Sequence, residues 1–112
     1  MRTLHVGLRV ADLDASLAFY RRMGYEVVGE VPETALGRLT MLKLPGDEFV
    51  TIELVSGEGA AGGLSHLVVQ VDGPASDDVQ TEWVTDPDGN RIELVRWPAG
   101  HPDGMTAADF SE

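Results

Sequence analysis

The sequence predicts an α+β fold assembled from two related, strand-rich modules. Three observations predict it. A short strand pattern with a histidine near its start occurs twice, as Leu4-His5-Val6-Gly7-Leu8-Arg9-Val10 and as Ser65-His66-Leu67-Val68-Val69-Gln70-Val71. The run Ile52-Glu53-Leu54-Val55 recurs letter for letter as Ile92-Glu93-Leu94-Val95. Between the first histidine strand and the first glutamate strand lies one helical stripe, Leu13, Leu17 and Tyr20. Repetition of features in the same order is the mark of a duplicated supersecondary unit.

The elements follow in order. Leu4–Val10 alternates apolar with other residues, as a half-buried strand does. Asp12 is a helix cap, and the stripe ends near Gly24, where glycine supplies a left-handed C-terminal residue. Three strands are expected next, roughly Glu26–Val31, Arg38–Leu44 and Phe49–Val55, on apolar runs bounded by turn residues. Pro45-Gly46-Asp47-Glu48 turns the chain into the last of these, and Asp86-Pro87-Asp88-Gly89 does so in the second copy. The glycine-rich Ser56–Gly63 links the modules. The second module is expected to contain Leu64–Val71, Gln80–Thr85 and Arg91–Arg96. From Pro98 the chain turns polar with proline and glycine, with one helical turn after Thr106. His101 is read there as a surface residue without a role.

The whole chain, residues 1–112, is thus read as a single domain. Its first module covers about residues 3–56, the linker about 57–63, the second module about 64–97 and the tail 98–112. His5 and Glu53 stand 48 residues apart, but His66 and Glu93 only 27. The shortfall of 21 residues is about one helix and one strand. It falls between Asp72 and Gln80. Two readings stand: a naturally abbreviated second module, or residues missing from the sequence. A helix is needed to cover an apolar sheet face, which favours the second.

Composition narrows the function. The chain has 112 residues, 43% of them hydrophobic and 24% charged, enough for one core and ordinary for a globular protein. A formal charge of −11 repels phosphate backbones and anionic lipid, so nucleic acid and membranes are not expected partners. There is no apolar run of membrane-spanning length, and Arg2 leads into a strand pattern, not a signal peptide. The absence of cysteine excludes disulfides, thiolate metal sites and a cysteine nucleophile, and fits a cytoplasmic location.

Taken singly, a strand glutamate is most often an exposed polar position and a strand histidine a satisfied, partly buried ring. Repetition changes that reading. His5, Gly7 and Arg9 share one strand face, and His66, Val68 and Gln70 likewise share one. If a pseudo-twofold brings the first and last strands of both modules together, His5, Glu53, His66 and Glu93 converge. Two imidazoles and two carboxylates suit one Zn²⁺, Ni²⁺, Co²⁺, Fe²⁺ or Mn²⁺ ion. An open coordination position would make such a site catalytic.

At these residues the sequence resembles the vicinal oxygen chelate superfamily, which includes glyoxalase I, methylmalonyl-CoA epimerase, extradiol dioxygenases and bleomycin-binding proteins. Leu4-His5-Val6-Gly7-Leu8-Arg9-Val10-Ala11-Asp12-Leu13, with Phe19-Tyr20 and Gly24, is similar to the opening of a glyoxalase module. Asp86-Pro87-Asp88-Gly89-Asn90-Arg91-Ile92-Glu93-Leu94 is similar to its closing signature. The resemblance implies two βαβββ modules, the second abbreviated, forming curled mixed sheets around a metal cleft. It implies His5, Glu53, His66 and Glu93 as metal ligands, a set closest to that of glyoxalase I. Arg9 then corresponds to an arginine that binds a substrate carboxylate. Glutathione-using members carry asparagine where this chain has Gly57, so the likeness points to a thiol adduct of a 2-oxoaldehyde without fixing the thiol.

The implied activity is that of a lyase or isomerase. It removes a proton next to a carbonyl through a metal-stabilised enediolate, with Glu93 as first choice for the base and Glu53 second. The resemblance also implies a homodimer in which His5 and Glu53 of one subunit meet His66 and Glu93 of the other. Alternatives on the same scaffold are an epimerase, an extradiol-type dioxygenase, or a non-catalytic drug- or metabolite-binding resistance protein. Trp83 and Trp97 would line the groove of such a binder, although packing and rim positions are the simpler account of both.

Overall fold

A computed structural model describes residues 1–57, 62–72 and 78–110. In chain order the elements are β1 (Arg2–Arg9), α1 (Leu13–Met23), β2 (Glu26–Val31), β3 (Arg38–Lys43), β4 (Ile52–Ser56), β5 (Leu64–Gln70), β6 (Gln80–Thr85) and β7 (Arg91–Arg96). A single 3₁₀ turn follows at Ala107–Phe110. The seven strands form one mixed sheet in the order β2-β3-β4-β1-β5-β7-β6, as the predicted α+β class requires. The helix starts and stops where its caps dictate. Asp12 accepts a hydrogen bond from the Ala15 amide, and Gly24 closes the helix at φ 109°.

The duplication seen in the sequence is a duplication of pairing. β1 runs parallel to β4, and β3 pairs antiparallel with β4. β5 runs parallel to β7, and β6 pairs antiparallel with β7. The two halves meet where β1 and β5 pair antiparallel. Register is preserved as well: Gly7 faces Glu53, and Val68 faces Glu93, each two residues beyond its histidine. Met41 lies opposite Glu53, and Trp83 lies opposite Glu93. Residue pairs in register project to one side of a sheet, so these groups share a face.

Two expectations are corrected. β4 begins at Ile52 and not at Phe49, because the Val50 amide donates instead to the Met105 carbonyl at 3.1 Å. The C-terminal stretch that supplies this carbonyl is no free polar tail. Met105 and Phe110 pack on a core of Leu39, Met41, Val50 and Val55. The Phe110 ring lies so close over Gly29 that a Cβ there would collide with it. His101 is likewise engaged: its ring stacks on Trp97 at 4.3 Å, and Nε2 stands 2.6 Å from the Asp109 carboxylate. Residues 98–110 therefore form a strap across the first half of the sheet.

The second half is barer. Four of the six residues of β3 are buried, whereas all six of its counterpart β6 are exposed. Among the described residues no helix lies between β5 and β6. The shortfall after Asp72 falls largely on residues 73–77, and most of the expected linker on 58–61; both stretches lie outside the described residues. No helix among the described residues is long and apolar enough to cross a membrane.

Candidate metal centre

The pairing of β1 with β5 decides where the histidines go. Gly7 lies opposite His66, and having no side chain it leaves room for the imidazole to lie over the strand. A Cβ at Gly7 would sit 2.5 Å from His66 Cε1 and Nδ1 and 3.2 Å from Glu53 Oε2. Glycine in a strand interior marks such close approaches. Glu53 comes from β4 on the other side of β1 and reaches toward both rings. Its Oε2 is 2.7 Å from His66 Nε2, and its Oε1 is 3.7 Å from His5 Nε2.

All three groups are sealed from solvent: His5 is 2%, Glu53 3% and His66 1% exposed. Their polar atoms are poorly satisfied. Among the described residues His5 Nδ1 and Nε2 and Glu53 Oε2 have no hydrogen-bond partner, since the 2.7 Å approach to His66 lacks hydrogen-bond geometry. Leaving a buried polar atom unpaired costs about 1–3 kcal/mol. Burial alone would raise the Glu53 pKa, but the imidazoles beside it outweigh that and hold it down at about 2. Ser65 Oγ stands 3.0 Å from His66 Nδ1, a contact that fixes the ring with Nε2 toward the carboxylate.

Glu93, the fourth expected ligand, comes from β7 and is half-buried. Burial pushes its pKa up; His66 opposes the rise and the Glu53 charge adds to it, with a net rise. Arg9 lines a shallow cavity of about 370 Å³ together with Ser16, Phe19 and Tyr20 of α1. Sequence reasoning missed the supporting groups. Gly7, Ser65 and Trp83, whose ring meets His66 edge-on at 5.4 Å, each position a histidine. The mid-strand glycine was the one available signal.

The donor set fits a divalent ion. Two ligands of one ion stand roughly 3–3.5 Å apart when its bonds are about 2.0–2.2 Å long. The His5–Glu53 separation is slightly wider and the His66–Glu53 separation narrower. As they stand, no three His, Asp or Glu side chains among the described residues enclose an ion. Of the unpaired buried atoms, His5 Nε2, which faces Glu53, and Glu53 Oε2 are electron-pair donors that one cation between them would satisfy together. His5, Glu53 and His66 gather within one chain through the β1–β5 pairing, so a second subunit is not required to assemble them, contrary to the expected cross-subunit arrangement.

Comparison with known proteins identifies the family. The family model of the Glyoxalase/Bleomycin resistance protein/Dioxygenase superfamily matches residues 2–74, a stretch that includes His5, Glu53 and His66. The chain belongs to this superfamily. No curated protein sequence matches the chain. Among solved structures, the superfamily fold is shared with methylmalonyl-CoA epimerase from Mycobacterium tuberculosis, at TM-score 0.69 and 22% identity over 88% of each chain. It is shared too with a variant of homoprotocatechuate 2,3-dioxygenase from B. fuscum, at TM-score 0.63 and 17% identity. That match covers 92% of this chain but only 36% of the dioxygenase chain. Identities this low establish a common scaffold and leave the reaction to the site itself.

Proposed function

We propose that this superfamily member is a divalent-metal-dependent lyase or isomerase of the glyoxalase type, removing a proton from carbon next to a carbonyl. The observation that carries the reading is the buried His5–Glu53–His66 cluster with unpaired donor atoms, set beside a half-buried glutamate. His5, Glu53 and His66 would hold the ion, with Glu93 as fourth ligand or as the group beside it. When bound, the cation would supply Lewis-acid polarisation to the two oxygens of an α-hydroxycarbonyl compound.

The chain's own residues do the rest. Glu93 is the base. Its raised pKa makes it a better proton acceptor than an ordinary surface carboxylate, and partial exposure leaves it reachable. Having taken the proton, the same carboxyl returns it to the neighbouring carbon. Glu53, held ionised by its histidines, serves as a ligand, and it is the second choice for the base. Trp83 limits the freedom of His66, and Met41 and Val55 keep water from Glu53.

An epimerase reading shares every one of these roles, because epimerisation also begins with proton removal next to a carbonyl. Substrate decides between them. Glu93→Gln is expected to abolish turnover of methylglyoxal with candidate thiols, or of a 2-substituted acyl thioester. Unchanged turnover would remove Glu93 as the base. Elemental analysis beside the oligomeric mass tests the ion and the proposed homodimer together.

A further inference from the structure

The two halves of the sheet treat equivalent positions differently. Met41, opposite Glu53, is 1% exposed because Phe110 and Met105 of the strap close over its half of the face. Trp83, opposite Glu93, has no such cover and is 38% exposed. His5, Glu53 and His66 are each 3% exposed or less. The more exposed flank of the cluster is that of β6 and β7, where Glu93 is half-buried and Trp83 reaches solvent.

That flank carries a fixed positive charge. The Arg91 guanidinium lies over the Trp83 ring, 4.4 Å from its centre, and Trp83 in turn meets His66 edge-on. Arg91 and Glu93 are two residues apart on one strand and share a face; Arg96 projects to the other and bonds the Asp72 carbonyl. Among the described residues Arg91 is in no ion pair, and it is the one cation on this wall of a chain with formal charge −11. A guanidinium held over an aromatic ring keeps N–H groups directed away from it, and these can bind a carboxylate with two parallel hydrogen bonds.

We propose that the substrate enters over β6 and β7, and that Arg91, laid on Trp83, receives a carboxylate at the end of the substrate remote from the His5–Glu53–His66 cluster. The substrate then covers this half of the face as the strap covers the other. This assignment rests on the metal-site reading above. A lone guanidinium suits a monoanionic carboxylate better than a phosphate dianion, which commonly draws several donors.

The test uses probes with one common end. The zinc-loaded protein is titrated calorimetrically with 2-oxoglutarate, with its amide 2-oxoglutaramate and with 2-oxo-4-phosphonobutyrate. The acid is expected to bind at least about tenfold tighter than the amide, the ratio a charge-assisted hydrogen-bonded pair gives. Arg91→Gln should erase that ratio without changing metal content or amide affinity, and Arg91→Lys should restore part of it. Equal binding of acid and amide, or an unchanged ratio in Arg91→Gln, overturns the proposal. Tighter binding of the phosphonate than of the carboxylate overturns its carboxylate class. If the protein holds no zinc, the metal reading fails on its own. Arg91 is then judged in metal-free protein, where glutarate but not glutaramide should shift the Arg91 Nε–H resonance; no shift overturns the assignment.

Discussion

Gly7→Ala is the most local perturbation of the candidate centre. It adds one methyl group and no charge. The methyl carbon would arrive 2.5 Å from the His66 ring and 3.2 Å from Glu53 Oε2. Ordinary carbon contacts begin near 3.4 Å, so the imidazole must retreat by about 0.9 Å or β1 must part from β5. Metal–ligand bonds tolerate departures of only about 0.2 Å, so a displaced ring no longer binds as before. Disturbing groups that set ligand position costs on the order of 10–100-fold in metal affinity, and overpacking a sealed site costs about 1–3 kcal/mol of stability. The assay is competitive zinc titration against a chromophoric chelator, paired with urea unfolding of the metal-free protein. A Gly7→Ala protein with parental zinc affinity and parental stability would refute the placement of His66 over Gly7, and with it the cluster.

Three further outcomes are expected. Adding Zn²⁺ in excess should raise the melting temperature of the parent, by mass action on the folded state, and should leave His66→Ala unmoved. Phe110→Ala should lower stability by about 2–4 kcal/mol in chemical unfolding, since it empties the contact with Gly29 and the strap-covered core. His101 should make the strap sensitive to pH. Burial lowers its pKa, but the Asp109 carboxylate and Pro102 carbonyl outweigh this and leave it raised above 6.5. Its contribution is therefore complete below about pH 6.5 and lost as pH rises through the folded-state value. Unfolding curves of the parent and His101→Asn should diverge at pH 6 and converge at pH 9.

Much of this was legible in the sequence because duplication doubled each faint signal. A lone His5 or Glu53 says little; Ile-Glu-Leu-Val twice, each after a histidine strand, places four side chains relative to one axis. The structure keeps that register in the pairs Val6–Ile52 and Leu67–Ile92. Helix α1 was equally readable, since Asp12 and Gly24 act locally. The strap was not. Met105 and Phe110 are isolated apolar residues in a polar stretch, with no periodicity to betray them, and they are fixed by partners 55 and 81 positions earlier, Val50 and Gly29. The start of β4 slipped for the same reason: Phe49 and Val50 have strand propensity, but Val50 bonds across to the strap.

The bare outer strand has a consequence for how the molecule behaves in crowded solution. β6 ends the sheet, and Gln80-Thr81-Glu82-Trp83-Val84-Thr85 carries a single charge among residues suited to lengthening a sheet. Among the described residues nothing shields that edge, and shared negative charge discourages two molecules from zipping together there. Near pH 4.4, where the sequence balances its charges, that repulsion vanishes. Light scattering should then rise steeply, and a lysine at Thr81 should hold it down.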